Sequence, residues 1–225
     1  PDEALEMAHL PIRTSARKEA AEISEFYVVM HSLASKVDTS ASMDQQLRWL
    51  ARQAREIIPD SSYTARMYDY VQEKYESRIP WEQARDSIYY RYQVNQQDGY
   101  DITSRNIYCN GCFAAGINYA ESIKIWALAV LDSYNPTATW GGLLGFMLGK
   151  DGVEEAFGRE FSNQFNIHRT RQNFPNDGID TFENMSSKGL EIIDRVVQEE
   201  MGGTVDTEQN TWIIPAEEFD FSQRY

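Results

Sequence analysis

The stretch Leu131–Gly149, LDSYNPTATWGGLLGFMLG, carries the clearest structural signal in the sequence. Asn135 followed by Pro136 is a typical helix start, because the asparagine side chain accepts from free backbone N–H groups and proline at the first helical position loses no hydrogen bond. The run that follows is uncharged as far as Gly149, which predicts a buried helix. Glycine inside a helix costs roughly 1 kcal/mol relative to alanine, so we expect another part of the chain to approach this helix closely. The glycines concerned are Gly141, Gly142 and Gly145.

Polar side chains stand directly before this helix. Asp132 and Asn135 are expected at its N-terminus, where unpaired N–H groups and the helix dipole favour anions. A carboxylate-bearing turn that leads into a buried helix is the first place to look for a site. On spacing alone, a capped core helix is the more frequent outcome and a functional site is the alternative.

The composition limits the classes of partner. The chain has 225 residues, of which 42% are hydrophobic, and its formal net charge is −14. Such an acidic balance argues against nucleic acid and anionic membranes as general partners. No stretch approaches the ~20 apolar residues of a membrane span and no signal-peptide pattern opens the chain, so we expect a soluble protein. The sequence indicates neither the cell compartment nor the oligomeric state.

The cysteines and histidines give only weak signals. Cys109 and Cys112 form one C-x-x-C pair, whereas a structural zinc site needs four ligands and a redox pair is expected in a βαβ context. Two packed or partly exposed thiols are therefore expected. His168 lies with Arg169 and Arg171 in a polar loop, which either binds an anion or, as we expect, pairs with the acidic surface of the protein itself.

Helical periodicity runs through most of the chain, and no convincing strand pattern interrupts it. An apolar stripe predicts a helix over 15–37, and Ser42 with Gln45 forms a capping box for a helix that ends before Pro59. Further helices are predicted after Ser61 or Ser62, from Pro80, over 104–130 and over 151–157. A last long helix is predicted with Asp180 and Glu183 as its cap, and Gly202 and Gly203 end it. The expected fold class is all-α: a single compact multi-helix domain over 1–225, of roughly eight helices, in which 204–225 is an irregular tail.

The stretch Asp132–Gly145, DSYNPTATWGGLLG, resembles the C-terminal signature of the ADP-ribosylglycohydrolase family, which includes the dinitrogenase-reductase-activating glycohydrolases and the J1 crystallins. Three further stretches agree with this branch of the family in the same order along the chain: Ala8–Thr14, Tyr108–Asn118 and Phe161–Gly178. The resemblance extends over most of the sequence and concerns the C-terminal part of the family. It implies an ADP-ribosylglycohydrolase-like all-α fold with a central buried bundle.

Active members of that family use two Mg²⁺ or Mn²⁺ ions to hydrolyse an N- or O-glycosidic bond of an ADP-ribosyl group. Hard divalent ions take oxygen ligands, and a metal pair can activate water. The resemblance therefore implies Asp132 as a catalytic residue and metal ligand, and an ADP-ribose-like ligand or an ADP-ribosylated substrate as partner. The ligand-binding residues that it implies are Asn110, Ser133, Tyr134, Asn135, Thr137 and Trp140.

The sequence departs from the family pattern at the metal ligands. Tyr134 stands where the family has a second aspartate, and a neutral phenol is a poor ligand for a hard cation. The Thr-Asp-Asp motif that the family carries upstream is not found in this sequence, and Val130-Leu131 replace a small and an aromatic residue. Because one carboxylate cannot hold a two-metal centre, we expect the ancestral hydrolysis to be impaired. Mg²⁺ or Mn²⁺ is expected only if that chemistry survives, and no cofactor otherwise.

Three functions remain open. The first is a hydrolase of the family type, whose missing ligands come from residues outside this chain. The second is a non-catalytic binding or structural descendant of the same fold. The third is a repurposed enzyme without metal, with a cavity lined by Trp126, Tyr134 and Trp140. Tyr134 and the missing motif favour the second function over the first.

Overall fold

The computed structural model describes residues 1–91, 119–129, 134–167 and 172–215, and this part of the chain is mostly helical. Its α-helices are α1 (Asp2–Ser15), α2 (Glu19–Leu33), α3 (Met43–Arg55), α4 (Tyr63–Glu76), α5 (Trp81–Tyr89), α6 (Tyr119–Ala129), α7 (Tyr134–Phe157) and α8 (Phe182–Glu199). Its strands are β1 (Gln164–Asn166), β2 (Ile179–Thr181), β3 (Thr204–Asp206) and β4 (Thr211–Ile213). The prediction of a mainly helical fold is confirmed, and the ADP-ribosylglycohydrolase-like fold stays a prediction.

The chain divides into two compact units. The first holds the described residues up to Gly158, and the second holds those from Arg159 onward. Helices α1 to α7 belong to the first unit, whereas α8 and the four strands belong to the second. A single domain over 1–225 stays a prediction. Among the described helices, none combines the length and the apolar character needed to cross a membrane.

Helix α2 is the centre of the first unit, where it contacts α1, α3 and α4. It has no side-chain N-cap, because Lys18 stands before it with φ 51°. Packing, rather than capping, therefore has to stabilise this helix. Its buried side chains recur mainly at helical steps: Ala21, Ile23, Phe26, Val29, Met30 and Leu33. The helix predicted over 15–37 is confirmed in its central part, and Ala34–Lys36 continues it as a 3₁₀ turn.

Helix α1 lies outside the predicted helices. Pro11 stands inside it, and a proline in a helix interior lacks the N–H that the helix needs. Packing against α2 compensates for this defect, because Leu5 and Ile12 lie about two turns apart and are both buried. Tertiary contact has therefore overridden the local signal against a helix.

Side-chain caps set the starts of α3 and α4. The hydroxyl of Ser42 accepts from the N–H of Gln45 at 3.3 Å, and the side chain of Gln45 accepts from the N–H of Ser42 at 3.0 Å. This capping box is as predicted. Ser62 accepts from the N–H of Ala65 at 3.0 Å and caps α4. Caps of this kind contribute about 1 kcal/mol each.

Helix α7 contains the described part of the stretch Leu131–Gly149, and only one of its faces is buried. Trp140, Leu143 and Leu144 are buried, whereas Phe146 is 65% exposed. A Cβ atom placed on Gly142 would meet no described atom within 4 Å. The prediction of a helix buried on most faces, with glycines required for close packing, is therefore wrong at Gly142 and Phe146. Among the described elements, α7 packs mainly on only two, namely α6 and the 3₁₀ turn that follows α2.

The second unit begins with the antiparallel pair β1–β2, in which Phe165 stands opposite Asp180. The ring of Phe165 packs on Phe182, the first residue of α8, with ring centroids 5.1 Å apart. The cap of α8 is Thr181, which accepts from the N–H of Asn184 at 3.1 Å, and not Asp180 as predicted. The carboxylate of Asp180 accepts instead from the Asn184 side chain, and this bond holds the pKa of Asp180 below its ordinary value.

Strands β3 and β4 form an antiparallel hairpin after α8. The N–H of Gly203 donates to the carbonyl of Val197 at 2.8 Å, so the chain turns back on the end of the helix. The indole N–H of Trp212 in β4 donates to Asp194 of α8 at 2.7 Å. Residues 204–213 are therefore ordered as a hairpin, although the sequence predicts an irregular tail with at most a short extended segment.

Candidate functional site

The predicted site is only partly covered by the structure. Asp132, Ser133 and Asn110 lie outside the described residues, as do the C-x-x-C pair and the polar loop 168–171. Helix α7 is described from Tyr134 onward, and Asn135 belongs to it. Asn135 and Pro136 both lie inside the helix, so the prediction of a helix over this stretch is confirmed and the prediction that Asn135 caps it is wrong.

The other predicted residues lie on different faces of α7. The side chain of Tyr134 is 78% exposed, and that of Trp140 is 3% exposed. Six residues at about 100° each separate these two side chains by roughly 120° around the helix axis. Thr137 is half-buried. The structure therefore does not bring Tyr134 and Trp140 into one cavity, and the side chain of Trp126 lies outside the description.

The described side chains do not form a centre for divalent cations. Within the ranges that the structure describes, there is no cluster of three or more His, Cys, Asp or Glu side chains that could hold a metal ion. Tyr134, which the predicted resemblance aligns with the second carboxylate ligand of that family, presents an exposed phenol. Of the predicted metal ligands only Asp132 is a carboxylate, and it lies outside these ranges.

A cleft in the first unit was not predicted from the sequence. It lies between α2, α3, α4 and Trp140 of α7, has a volume of about 60 Å³, and is named here the Trp140 cleft. Its floor is formed by Phe26, Met30, Leu47, Ala51, Tyr68 and Trp140, and its rim by Arg48, Arg52, Gln72, Tyr75 and Glu76. The floor is apolar and almost entirely buried, whereas the arginines and the glutamate of the rim are exposed.

Ring contacts fix the aromatic part of the floor. The rings of Phe26 and Tyr68 are tilted at 58° with centroids 6.0 Å apart. The ring of Trp140 meets Tyr27 of α2 edge to face, at 88° and 6.5 Å. Such arrangements align the positive edge of one ring with the negative face of another. The floor is therefore a preformed aromatic surface at the place where α7 meets α2.

A polar network holds one side of the rim. Tyr75 donates to one carboxylate oxygen of Asp44, and Arg48 forms an ion pair with the other. The guanidinium carbon of Arg48 also lies 5.8 Å from the centroid of the Tyr75 ring. Burial raises the pKa of Tyr75, and the bond to Asp44 raises it further. Tyr75 is therefore a neutral donor at physiological pH, and Asp44 neutralises the charge of Arg48.

The other side of the rim carries the carboxylate of Glu76, which accepts a hydrogen bond, and the guanidinium group of Arg52, which makes none within the described residues. Glu76 accepts from the side-chain amide of Gln72 at 2.9 Å. Arg52 is exposed and forms no hydrogen bond or ion pair with any residue in the described part of the chain. It is therefore the one rim cation that is available to an incoming anion within those ranges.

The sequence contains the parts of this cleft but does not indicate their assembly. Each of three helices contributes residues four positions apart: Phe26 with Met30, Arg48 with Arg52, and Tyr68 with Gln72. Residues at this spacing share a helix face. Which faces meet is decided by helix packing, and no local pattern in the sequence reveals it.

Comparisons with known proteins give no relative for this chain. No protein-family model matches it, and neither a curated protein nor a solved structure does. The resemblance to the ADP-ribosylglycohydrolases therefore stays a prediction from the residues themselves.

Proposed function

We propose that this chain is an ADP-ribosylglycohydrolase-like protein, ancestrally a metal-dependent hydrolase of ADP-ribosyl bonds, in which the hydrolysis is impaired. The proposal is carried by the stretch Asp132–Gly145, whose described residues from Tyr134 onward belong to helix α7, and by the expectation that this helix starts close to Asp132. A helix start offers unpaired backbone N–H groups, and such groups bind phosphate. The proposed ligand is an ADP-ribose-like molecule or an ADP-ribosylated substrate.

The proposed roles follow from the chemistry of each residue. Asp132 supplies the carboxylate that would hold Mg²⁺ or Mn²⁺, and the polar side chains of Ser133, Asn135 and Thr137 bind the ligand. Tyr134, exposed on α7, offers an aromatic face to a base or ribose rather than a metal ligand. A bound metal pair would supply an activated water. Asn110 is proposed as a further ligand-binding residue.

The alternative is a binding or structural descendant that no longer hydrolyses its ligand. The replacement of the second aspartate by Tyr134 favours this alternative. A metal-free enzyme with one cavity lined by both Tyr134 and Trp140 is disfavoured, because these side chains differ so strongly in exposure.

Calorimetric titration with Mg²⁺ or Mn²⁺, and then with ADP-ribose in the presence and absence of the metal, tests the proposal. The informative variant is Tyr134→Asp, which restores the second carboxylate of the family pattern. We expect it to bind the metal at least about tenfold more tightly than wild type, because hard cations prefer charged oxygen ligands. Tyr134→Asn is the matched control, since it has the same size as the aspartate and lacks the charge.

The outcomes separate the alternatives. ADP-ribose binding that depends on metal and is lost in Asp132→Asn supports a surviving hydrolase site, and a hydrolysis assay on an ADP-ribosylated protein should follow. ADP-ribose binding without metal and without hydrolysis supports the binding descendant. If wild type and Tyr134→Asp both fail to bind ADP-ribose under all these conditions, the proposal is wrong.

A further inference from the structure

We propose that the Trp140 cleft is a binding site for a small aromatic carboxylate, with the ring on the floor and the acid group at Arg52. This inference goes beyond the proposed function and does not depend on it. The cleft belongs to α2, α3, α4 and α7 of the first unit. Of the ligand-binding residues predicted from the sequence, its lining includes Trp140 alone.

The floor selects an aromatic ring. Phe26, Tyr68 and Trp140 present ring surfaces, and aromatic pairs gain energy beyond the burial of their area. Met30 adds a polarizable thioether, which makes favourable contacts with aromatic rings. A flexible alkyl chain would gain only the burial of its surface. A single planar ring therefore matches this floor better.

The volume limits the ligand to one ring. The cleft holds about 60 Å³, which is less than the ~150 Å³ of a closed apolar cavity that accepts benzene. A ring therefore enters only in part, through the open rim, and keeps its substituent at the level of the arginines. A nucleotide or a fused ring system exceeds this space.

The rim selects a carboxylate. Asp44 already neutralises Arg48, and the face of Tyr75 is already covered by that guanidinium group. Arg52 is exposed and unpaired within the described residues. A guanidinium group donates two parallel N–H bonds to a carboxylate, which gives geometric specificity as well as energy. The free rim cation thus matches an acid group attached to the ring.

Glu76 is the opposing charge at the rim. Its carboxylate accepts from Gln72, so it is better satisfied than Arg52. It nevertheless repels an anion at short range. Removing the charge of Glu76 should therefore strengthen the binding of a carboxylate, whereas removing the charge of Arg52 should weaken it. The two substitutions should therefore change the affinity for a carboxylate in opposite directions.

The experiment is a titration of the full chain with benzoate, followed by ¹⁵N–¹H NMR. The indole signal of Trp140, assigned with Trp140→Phe, reports on the floor of the cleft. Benzyl alcohol keeps the ring without the charge, and acetate keeps the charge without the ring. We expect benzoate to saturate one site and to shift the indole signal. We expect benzyl alcohol to bind at least about fivefold more weakly, because it lacks the charge-assisted bonds, and acetate to show no saturation.

Variants locate the site. Arg52→Gln should weaken benzoate binding by about fivefold or more, and Glu76→Gln should tighten it. Arg17→Gln is the matched control, because Arg17 is equally exposed, lies in the same unit and does not line the cleft. It should bind benzoate as wild type does. Ala51→Leu places a larger side chain in the floor and should abolish binding.

Three results would overturn the proposal: no saturable benzoate binding by wild type, equal affinity for benzyl alcohol and benzoate, or the same loss of affinity in Arg17→Gln as in Arg52→Gln. If Ala51→Leu fails to fold, the exposed Arg52 and Glu76 variants decide the question, because neither changes the core. The ADP-ribose titration uses other variants and another ligand, so either proposal can fail alone.

Discussion

Helices α2 and α7 are both apolar helices of the first unit, but they differ in how much of their surface is covered. α2 contacts three other helices and buries residues along its whole length. α7 is uncharged from Pro136 to Gly149, yet Phe146 is 65% exposed. The number of neighbouring elements therefore decides how much of a helix is buried. The hydrophobicity of a stretch sets only how much could be buried.

The largest change in the free energy of unfolding is expected when the same substitution, phenylalanine to alanine, is made in α2 and in α7. Phe26 in α2 is 1% exposed, and Phe146 in α7 is 65% exposed. Phe26→Ala should lower the free energy of unfolding by about 3–5 kcal/mol, because it leaves a cavity in the packed centre of the unit. Phe146→Ala should change it by less than about 0.5 kcal/mol. Urea unfolding measures both, and equal losses would show that α7 is covered as fully as α2.

The next largest change in the free energy of unfolding is expected on the buried face of α7. Leu143 is 1% exposed, so Leu143→Ala should cost roughly 2–3 kcal/mol. Leu10 in α1 is 71% exposed, and Leu10→Ala is the matched control that should be nearly neutral. The measurement is again the urea unfolding midpoint at constant slope. A neutral Leu143→Ala would mean that neither face of α7 contributes to the core.

Local features of the fold could be predicted from the sequence because their causes are local. The capping box of Ser42 and Gln45 needs only four consecutive residues, and the apolar stripe of α2 needs only a repeated spacing. Helix α1 is missed because Pro11 argues against a helix, and only contact with α2 explains why the helix persists. The exposed face of α7 is missed for the related reason that a sequence does not reveal how many neighbours a helix has.

The candidate sites, too, could be predicted from the sequence only where their cause is local. The helix predicted from Asn135 and Pro136 follows from a local signal and is confirmed, although Asn135 lies inside the helix and is not its cap. The Trp140 cleft combines faces of four helices, from Phe26 to Trp140. Its residues are separated by more than a hundred positions, so only the tertiary structure places Arg52 above an aromatic floor.

Two glycines of α7 should respond in opposite directions. A Cβ atom on Gly142 would meet no atom of the described residues within 4 Å, so Gly142→Ala should stabilise the chain by about 0.5–1 kcal/mol through higher helix propensity. Gly149 has φ 68° and ψ 173°, a conformation that a side chain strains. Gly149→Ala should therefore destabilise it by about 1–3 kcal/mol. Melting temperatures of the two variants measure both effects. A fall for Gly142→Ala would show that the backbone of α7 is approached closely after all.

The smallest change in stability is expected from Tyr75, at the rim of the Trp140 cleft. This change depends on pH. Burial and the bond to Asp44 raise the pKa of Tyr75 in the folded state. A raised pKa means that the neutral phenol stabilises the fold fully below the unfolded pKa of about 10, and that this stabilisation is lost as the pH rises from there through the folded pKa.

The physical reason is that the neutral phenol donates to Asp44, whereas a phenolate would face that carboxylate with a like charge. The melting temperature of wild type should therefore fall more steeply above about pH 10 than that of Tyr75→Phe. The other tyrosines cancel in the difference between the two curves. If the melting temperatures of wild type and Tyr75→Phe fall in parallel as the pH rises, the hydrogen bond from Tyr75 to Asp44 does not stabilise the rim of the Trp140 cleft.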